Sequence, residues 1–206
     1  MLVRLRNGVR AYLRKKEMKK ILLILLVTIA GMAELKAQML VVNTELSSDL
    51  MMAPNLGIEI VTGNYSSVGV NALYGKSILG KEISITAVQP EYRFWFSGRP
   101  INKWFVGVGG IGVLFDVKWK RKVYDGYGFG LGLTFGYVWN LKLGKDKRLN
   151  LDFHAGFGGI YYNRKEYFEN DNYDVDYTID GQVRANASGY YLLPTRIGIS
   201  VSYILM

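Results

Sequence analysis

The sequence predicts an all-β protein: an eight-stranded antiparallel up-and-down transmembrane β-barrel, preceded by a cleaved signal peptide. Three observations carry that expectation. From Met39 onward, bulky apolar residues alternate with small or polar ones at period two, which is the strand period and not the helix period. Turn chemistry interrupts the alternation at short intervals. The longest apolar run, Ile21 to Met32, follows Lys19-Lys20 and gives way to Ala37, the order of a secretory signal peptide. That run falls short of the roughly 20 apolar residues a membrane helix needs.

Two parts follow, a leader over 1–37 and a barrel over 38–206, with a mature N-terminus expected at Gln38. Met18 opens a signal peptide of ordinary proportions, so residues 1–17 read as an over-extended start or an unusually long basic leader. Residues 1–37 hold nine Lys+Arg and two acids, which leaves seventeen bases against fifteen acids beyond them. The basic character therefore belongs to the leader and gives no reason to expect a nucleic-acid partner. With no cysteine in the chain, disulfides, thiol catalysis and a lipid anchor on cysteine are excluded.

The strands are expected at about 39–49, 55–62, 65–74, 86–96, 104–115, 126–139, 148–161 and 189–205. Between them lie Ala53-Pro54-Asn55, Gly63-Asn64, Gly75 to Gly80, Ser97-Gly98-Arg99-Pro100, Asp125-Gly126 and Gly144-Lys145-Asp146. In the fourth, Val88, Tyr92, Phe94 and Phe96 oppose Gln89, Glu91 and Arg93. In the fifth, Trp104, Val106 and Val108 share one parity and Ile111, Val113 and Phe115 the other, so a β-bulge is expected at Gly109-Gly110; burial of both faces is the alternative. In the sixth, Tyr127, Phe129, Leu131, Leu133, Phe135, Tyr137 and Trp139 oppose a row rich in glycine. In the seventh, Leu149, Leu151, Phe153, Ala155, Phe157 and Tyr161 oppose Asn150, Asp152 and His154. In the eighth, Leu193, Ile197, Ile199, Val201 and Tyr203 oppose Arg196, Gly198, Ser200 and Ser202.

A soluble ligand-binding barrel would turn the apolar face inward and a membrane barrel would turn it outward. Glycine makes a poor water-facing coat, but it leaves room inside a narrow barrel for long charged side chains. Tyr127 and Trp139, at the two ends of the sixth strand, would stand roughly 28 Å apart along the normal of a tilted strand, close to an apolar band about 25 Å tall between aromatic girdles. The membrane barrel is the better account. An even strand count puts both termini on the periplasmic side. The long connections, 75–85, 116–125 and 162–188, then face outward, and the short ones at Gly63-Asn64, 97–103 and 140–147 face inward.

Several stretches resemble a known family. Asn43 to Asp49 with Ala53-Pro54-Asn55-Leu56-Gly57-Ile58-Glu59 is similar to the opening of the small exported proteins gathered as domain of unknown function 3575. Gln89-Pro90-Glu91-Tyr92-Arg93-Phe94-Trp95-Phe96 resembles that family's central strand, and Pro194-Thr195-Arg196-Ile197-Gly198-Ile199-Ser200 its closing strand. The resemblance covers most of 39–206. It implies an outer-membrane barrel and assigns no activity. The ending Tyr203-Ile204-Leu205-Met206 departs from the terminal aromatic common among such barrels.

No motif carries chemistry convincingly. Gly107 to Gly112 matches G-x-G-x-x-G, but Val113-Leu114-Phe115 continues a strand where a nucleotide site needs a helix. Asn64-Tyr65-Ser66 and Asn186-Ala187-Ser188 match glycosylation acceptors by accident. The loop 162–188 holds Glu166, Glu169, Asp171, Asp174, Asp176 and Asp180 without the ordered spacing of a calcium loop, and reads as a solvated acidic surface. Its Tyr167, Tyr173 and Tyr177 are candidates for contact with a partner.

By parity the inward polar set is Glu45, Glu59, Glu91, Arg93, Asp152, His154 and Arg196, and charges in a water-poor interior must be paired. Closure of the ring is expected to bring Arg196 to Glu45 and Asp152. Eight strands leave an interior just filled by side chains, so a wide channel is not expected. The reading is a non-enzymatic outer-membrane barrel without cofactor. Its partners are outer-membrane lipid, the barrel-assembly machinery during insertion, and an unknown protein or glycan at the outer loops. A lipid-modifying outer-membrane enzyme and a soluble periplasmic ligand-binding barrel are the alternatives.

Overall fold

The computed structural model describes residues 39–141, 148–176, 178–179, 182–183 and 185–205. The leader with Met18 and Gln38, the Gly144-Lys145-Asp146 turn, Tyr177 and Asp180 lie outside the described residues.

Eight strands make one antiparallel sheet that closes into a ring: β1 (Leu40–Glu45), β2 (Asn55–Val61), β3 (Ser66–Lys76), β4 (Ile83–Trp95), β5 (Lys103–Trp119), β6 (Lys122–Leu141), β7 (Leu149–Phe168) and β8 (Ala187–Ile204). Each pairs with its successor in sequence, and β8 pairs with β1. Pairing followed around the ring from Val41 passes through Glu59, Gly69, Glu91, Gly109, Gly132 and Gly158 to Leu193, whereas Val41 itself faces Ile204. Allowing for one bulge, that is a stagger of about ten residues, roughly 33 Å across eight strands at about 4.8 Å each, and a strand tilt near 40°. Among the described residues no helix is long and apolar enough to cross a membrane, a statement with no bearing on strands.

Four expectations need correction. The first strand stops at Glu45 and not at Asp49, and a short helix, α1 (Leu46–Leu50), follows. Asn55 explains the stop. Its side chain accepts from the Glu45 N–H (2.7 Å) and donates to the Glu45 carbonyl (3.0 Å), taking the place of a strand partner. The connection 116–125 is no long loop: β5 and β6 run on to Trp119 and Lys122, with a two-residue turn between them. Likewise β7 continues to Phe168, which reduces the last connection to residues 169–186. A helical turn, Tyr173–Asp176, and a small hairpin of Thr178–Ile179 with Gln182–Val183 lie within it.

The fourth correction concerns the bulge. Strand β5 keeps one register with β4 and with β6 throughout, so nothing shifts at Gly109-Gly110. Ile111, Val113 and Phe115 simply share the inward parity of Phe105 and Gly107, and the lumen at that level is partly apolar. The register shift sits instead in β8, between Pro194 and Arg196. Proline favours such a place because it has no N–H for the ladder. Beyond the bulge the parity of β8 reverses. Leu193, expected outside, pairs with the inward Gly158, and Tyr191 stacks inside on Tyr162 with ring centroids 4.8 Å apart.

The end of the ring where β1 begins and β8 finishes is closed by an apolar plug of Val41, Trp95, Ile101, Phe105 and Val138, with Met39, Val61 and Ile204 around it. Ile101 has φ 57°, unusual for a β-branched residue, and its near-complete burial in the plug offsets that strain. The opposite orientation holds outside. Leu131, Leu133, Phe135, Ile197 and Ile199 on β6 and β8, and Val68, Val70, Val88 and Val108 on β3 to β5, point away from the lumen and are exposed.

Candidate functional site

The side chains with chemistry lie inside the ring, directly above the plug. Alternation along each tilted strand delivers them there. β1 brings Glu45, β2 Glu59, β4 Glu91 and Arg93, β7 Asp152 and His154, and β8 Arg196. All seven are buried or nearly so; the Arg196 side chain is 9% exposed and that of His154 0%.

Arg93 is the hub. Its Nε donates to Glu91 Oε2 at 2.6 Å, and its Nη1 donates to Asp152 Oδ2 at 2.8 Å and to Glu59 Oε2 at 3.2 Å. Arg196 Nη1 donates to the same Glu91 oxygen at 3.1 Å, and its Nε lies 4.0 Å from Glu45 Oε2. His154 Nε2 is 3.0 Å from Glu45 Oε1, and Nδ1 is 3.4 Å from Asp152 Oδ1. The contacts form a closed cycle: Arg93, Glu91, Arg196, Glu45, His154, Asp152 and back to Arg93, with Glu59 attached at Arg93. One expected pairing differs. Asp152 belongs to Arg93 and not to Arg196, because the stagger carries β4 to its level across the lumen.

Residues that the sequence reading passed over complete the site. Trp95 Nε1 donates to Ser67 Oγ at 2.8 Å, and the Ser67 hydroxyl donates to Glu59 Oε1 at 2.5 Å. The plug is thereby wired to the charges. Arg93 also lies over the Phe105 ring at 4.3 Å. Asn71 Nδ2 reaches Asn43 Oδ1 at 3.4 Å. Trp95 shares the parity of Glu91 and Arg93, which was the available signal. Glycine supplies the space: a Cβ on Gly198 would collide with Glu45 Oε1, and one on Gly136 with the Phe105 ring.

The arrangement sets each arginine against carboxylates inside the ring. His154 Nε2 is within hydrogen-bond distance of Glu45, whereas Nδ1 lies 3.4 Å from Asp152 without a hydrogen bond. A cavity of about 20 Å³ beside Gln89, Thr134, Thr195 and Arg196 has room for one water. Among the described residues no three His, Asp or Glu could hold a metal ion. Gly107 to Gly112 lies within β5, with no helix after it.

Of the loop tyrosines, Tyr173 departs from expectation. Tyr173 is buried, against Tyr167 (centroids 5.0 Å) and under the Lys165 ammonium (5.0 Å). Burial takes it away from any incoming partner. Tyr167 is half-buried. Asn186 accepts from the Glu166 N–H and donates to its carbonyl, both at 2.8 Å, and so fixes the start of β8 beside β7.

A family model described as a protein of unknown function (DUF3575) matches residues 21–205. No curated protein and no solved structure matches the chain.

Proposed function

We propose, for a chain that belongs to the DUF3575 family of proteins of unknown function, a non-enzymatic β-barrel of the bacterial outer membrane. It is exported on a cleaved leader. Its polar core is closed, and its outer loops serve envelope structure, adhesion or partner binding. The observation that carries this reading is the inversion of the usual polarity: Glu45, Glu59, Glu91, Arg93, Asp152 and His154 are buried while Leu131, Phe135 and Ile197 stand 72%, 61% and 64% exposed. Such an exterior needs hydrocarbon around it. Exposed aromatics sit near both ends of the outer face, with Trp104, Trp139 and Tyr203 toward the termini and Tyr74, Tyr127 and Tyr190 toward the far rim. The strand tilt near 40° is typical of such barrels. The burial of His154 between Glu45 and Asp152, with Nε2 3.0 Å from Glu45, favours a structural role for it over acid–base work.

The test is membrane fractionation of the expressed protein, followed by gel electrophoresis with and without boiling. The expected result is outer-membrane recovery, loss of residues 1–37 by mass spectrometry, and a mobility shift on boiling. Recovery in the soluble periplasm would refute the reading.

A further inference from the structure

The tip of the β5–β6 hairpin carries four bases and a tryptophan in five residues, Lys118-Trp119-Lys120-Arg121-Lys122. The two turn residues, Lys120 and Arg121, have φ of 50° and 64°. Two-residue hairpin turns of this left-handed type are ordinarily Asn-Gly or Asp-Gly, because other side chains meet the backbone there. The hairpin thus places two long basic residues where its own backbone disfavours them. Folding gains nothing from their charges: Lys120 and Arg121 are exposed and have no acidic partner among the described residues. The flanking bases are already occupied, Lys118 by Glu82 at 2.9 Å and Glu169 at 3.6 Å, and Lys122 by Glu166 at 3.6 Å. Lys81 lies over the Trp119 ring at 4.4 Å and has no acidic partner among the described residues. Trp119 remains 46% exposed beside these cations.

From these features we infer that the hairpin tip is a binding site for the phosphate groups of a glycolipid headgroup. A guanidinium, two ammonium groups and a partly exposed indole suit a phosphorylated sugar, with charge for the phosphate and a flat apolar face for the ring. Height selects the source of phosphate. The tip stands about six residues beyond Tyr127, roughly 15 Å above the far aromatic row at this tilt, at the depth of the sugars of an outer-leaflet glycolipid. The inference rests on the outer-membrane reading. If the protein fractionates to the outer membrane but binds no glycolipid, the inference fails alone; a soluble protein would sink the reading beneath it.

The experiment compares wild type with Lys120→Asn/Arg121→Gly, purified in a neutral detergent. The probes are lipopolysaccharide, the same material enzymatically dephosphorylated, and duplex DNA. The double variant removes two charges and installs the residues the turn prefers, so it should melt no lower than wild type. Its affinity for the phosphorylated probe should fall roughly thirtyfold, about fivefold for each charge. Lys120→Gln/Arg121→Gln, which keeps the strained turn, should lose the same affinity. Equal binding by the variants, equal binding of the dephosphorylated probe, or tighter binding of DNA would each overturn the assignment.

Discussion

Arg93 holds three carboxylates at once through two nitrogens of its planar fork, Nε and Nη1, a spread of donors that the single nitrogen of an ammonium does not match. Arg93→Ala should leave Glu59 with no cation, Glu91 with Arg196 alone and Asp152 with His154 alone, and cost about 3–5 kcal/mol, and Arg93→Lys should recover only part of it. Arg196→Ala should cost less, because Glu91 keeps Arg93. His154→Asn should cost least, since an amide can still donate to one of the two carboxylates. Urea refolding midpoints in one detergent test the order; an Arg93→Ala midpoint equal to wild type would discard the hub. The seven titratable members of this site were legible from alternation alone, because an inward polar residue in a strand fixes its own parity. Their pairing was legible only in part: closure of the ring placed Arg196 near Glu45, as found, but not Asp152 with Arg93. Which carboxylate meets which arginine depends on the stagger between strands, and no single strand carries that information.

At the scale of the element, β8 is instructive. Leu193 and Ile197 share a parity in sequence, so the strand reads as one outward apolar face. The extra residue at Thr195 puts them on opposite faces. In β5 the error ran the other way: an apolar inner row at Ile111, Val113 and Phe115 imitated the signature of a bulge. The β5–β6 turn escaped notice because Lys-Arg lacks the usual turn residues. Removing Thr195, the unpaired residue of the bulge, should make β8 regular and leave Tyr191 opposite Ile160 and facing inward. Since the chain has no cysteine, Ile160→Cys with Tyr191→Cys, directly opposed, reports this cleanly. A disulfide is expected both in the full-length background and after the deletion, and its absence from the full-length background, with one formed by Tyr161→Cys and Tyr191→Cys instead, would refute the bulge. Outside, Leu133→Arg should cost about 2–4 kcal/mol in a bilayer and Leu133→Val little. Equal stability of the two would contradict a lipid-facing row.

Across the whole molecule the ring is lopsided. β6 and β7 are 20 residues long, while β1 has 6 and β2 has 7. β8 pairs with β7 from Ala187 to Tyr203 but with β1 only from Ser200 to Ile204. The broad features, eight strands in up-and-down order with charge inside, followed from the period and the turns. The short β1 did not, because Leu46 to Leu50 continues in apolar and small residues that a strand could equally use; only the side chain of Asn55, distant in sequence, ends it.

That unevenness gives the barrel an order in time. Five residue pairs join β1 to β8, against twenty between β6 and β7, so the last contact to form as the chain assembles should be β1 on β8, and the first to come apart should be the same one. Glu45 then acts as a latch: it sits at the end of β1 and reaches both His154 on β7 and Arg196 on β8. Amide hydrogen exchange should find Val41 to Glu45 opening well before Leu131 to Tyr137. Glu45→Gln should quicken exchange along β1 and leave β6 unchanged, whereas uniform acceleration around the barrel would mean that it opens as one body and has no latch.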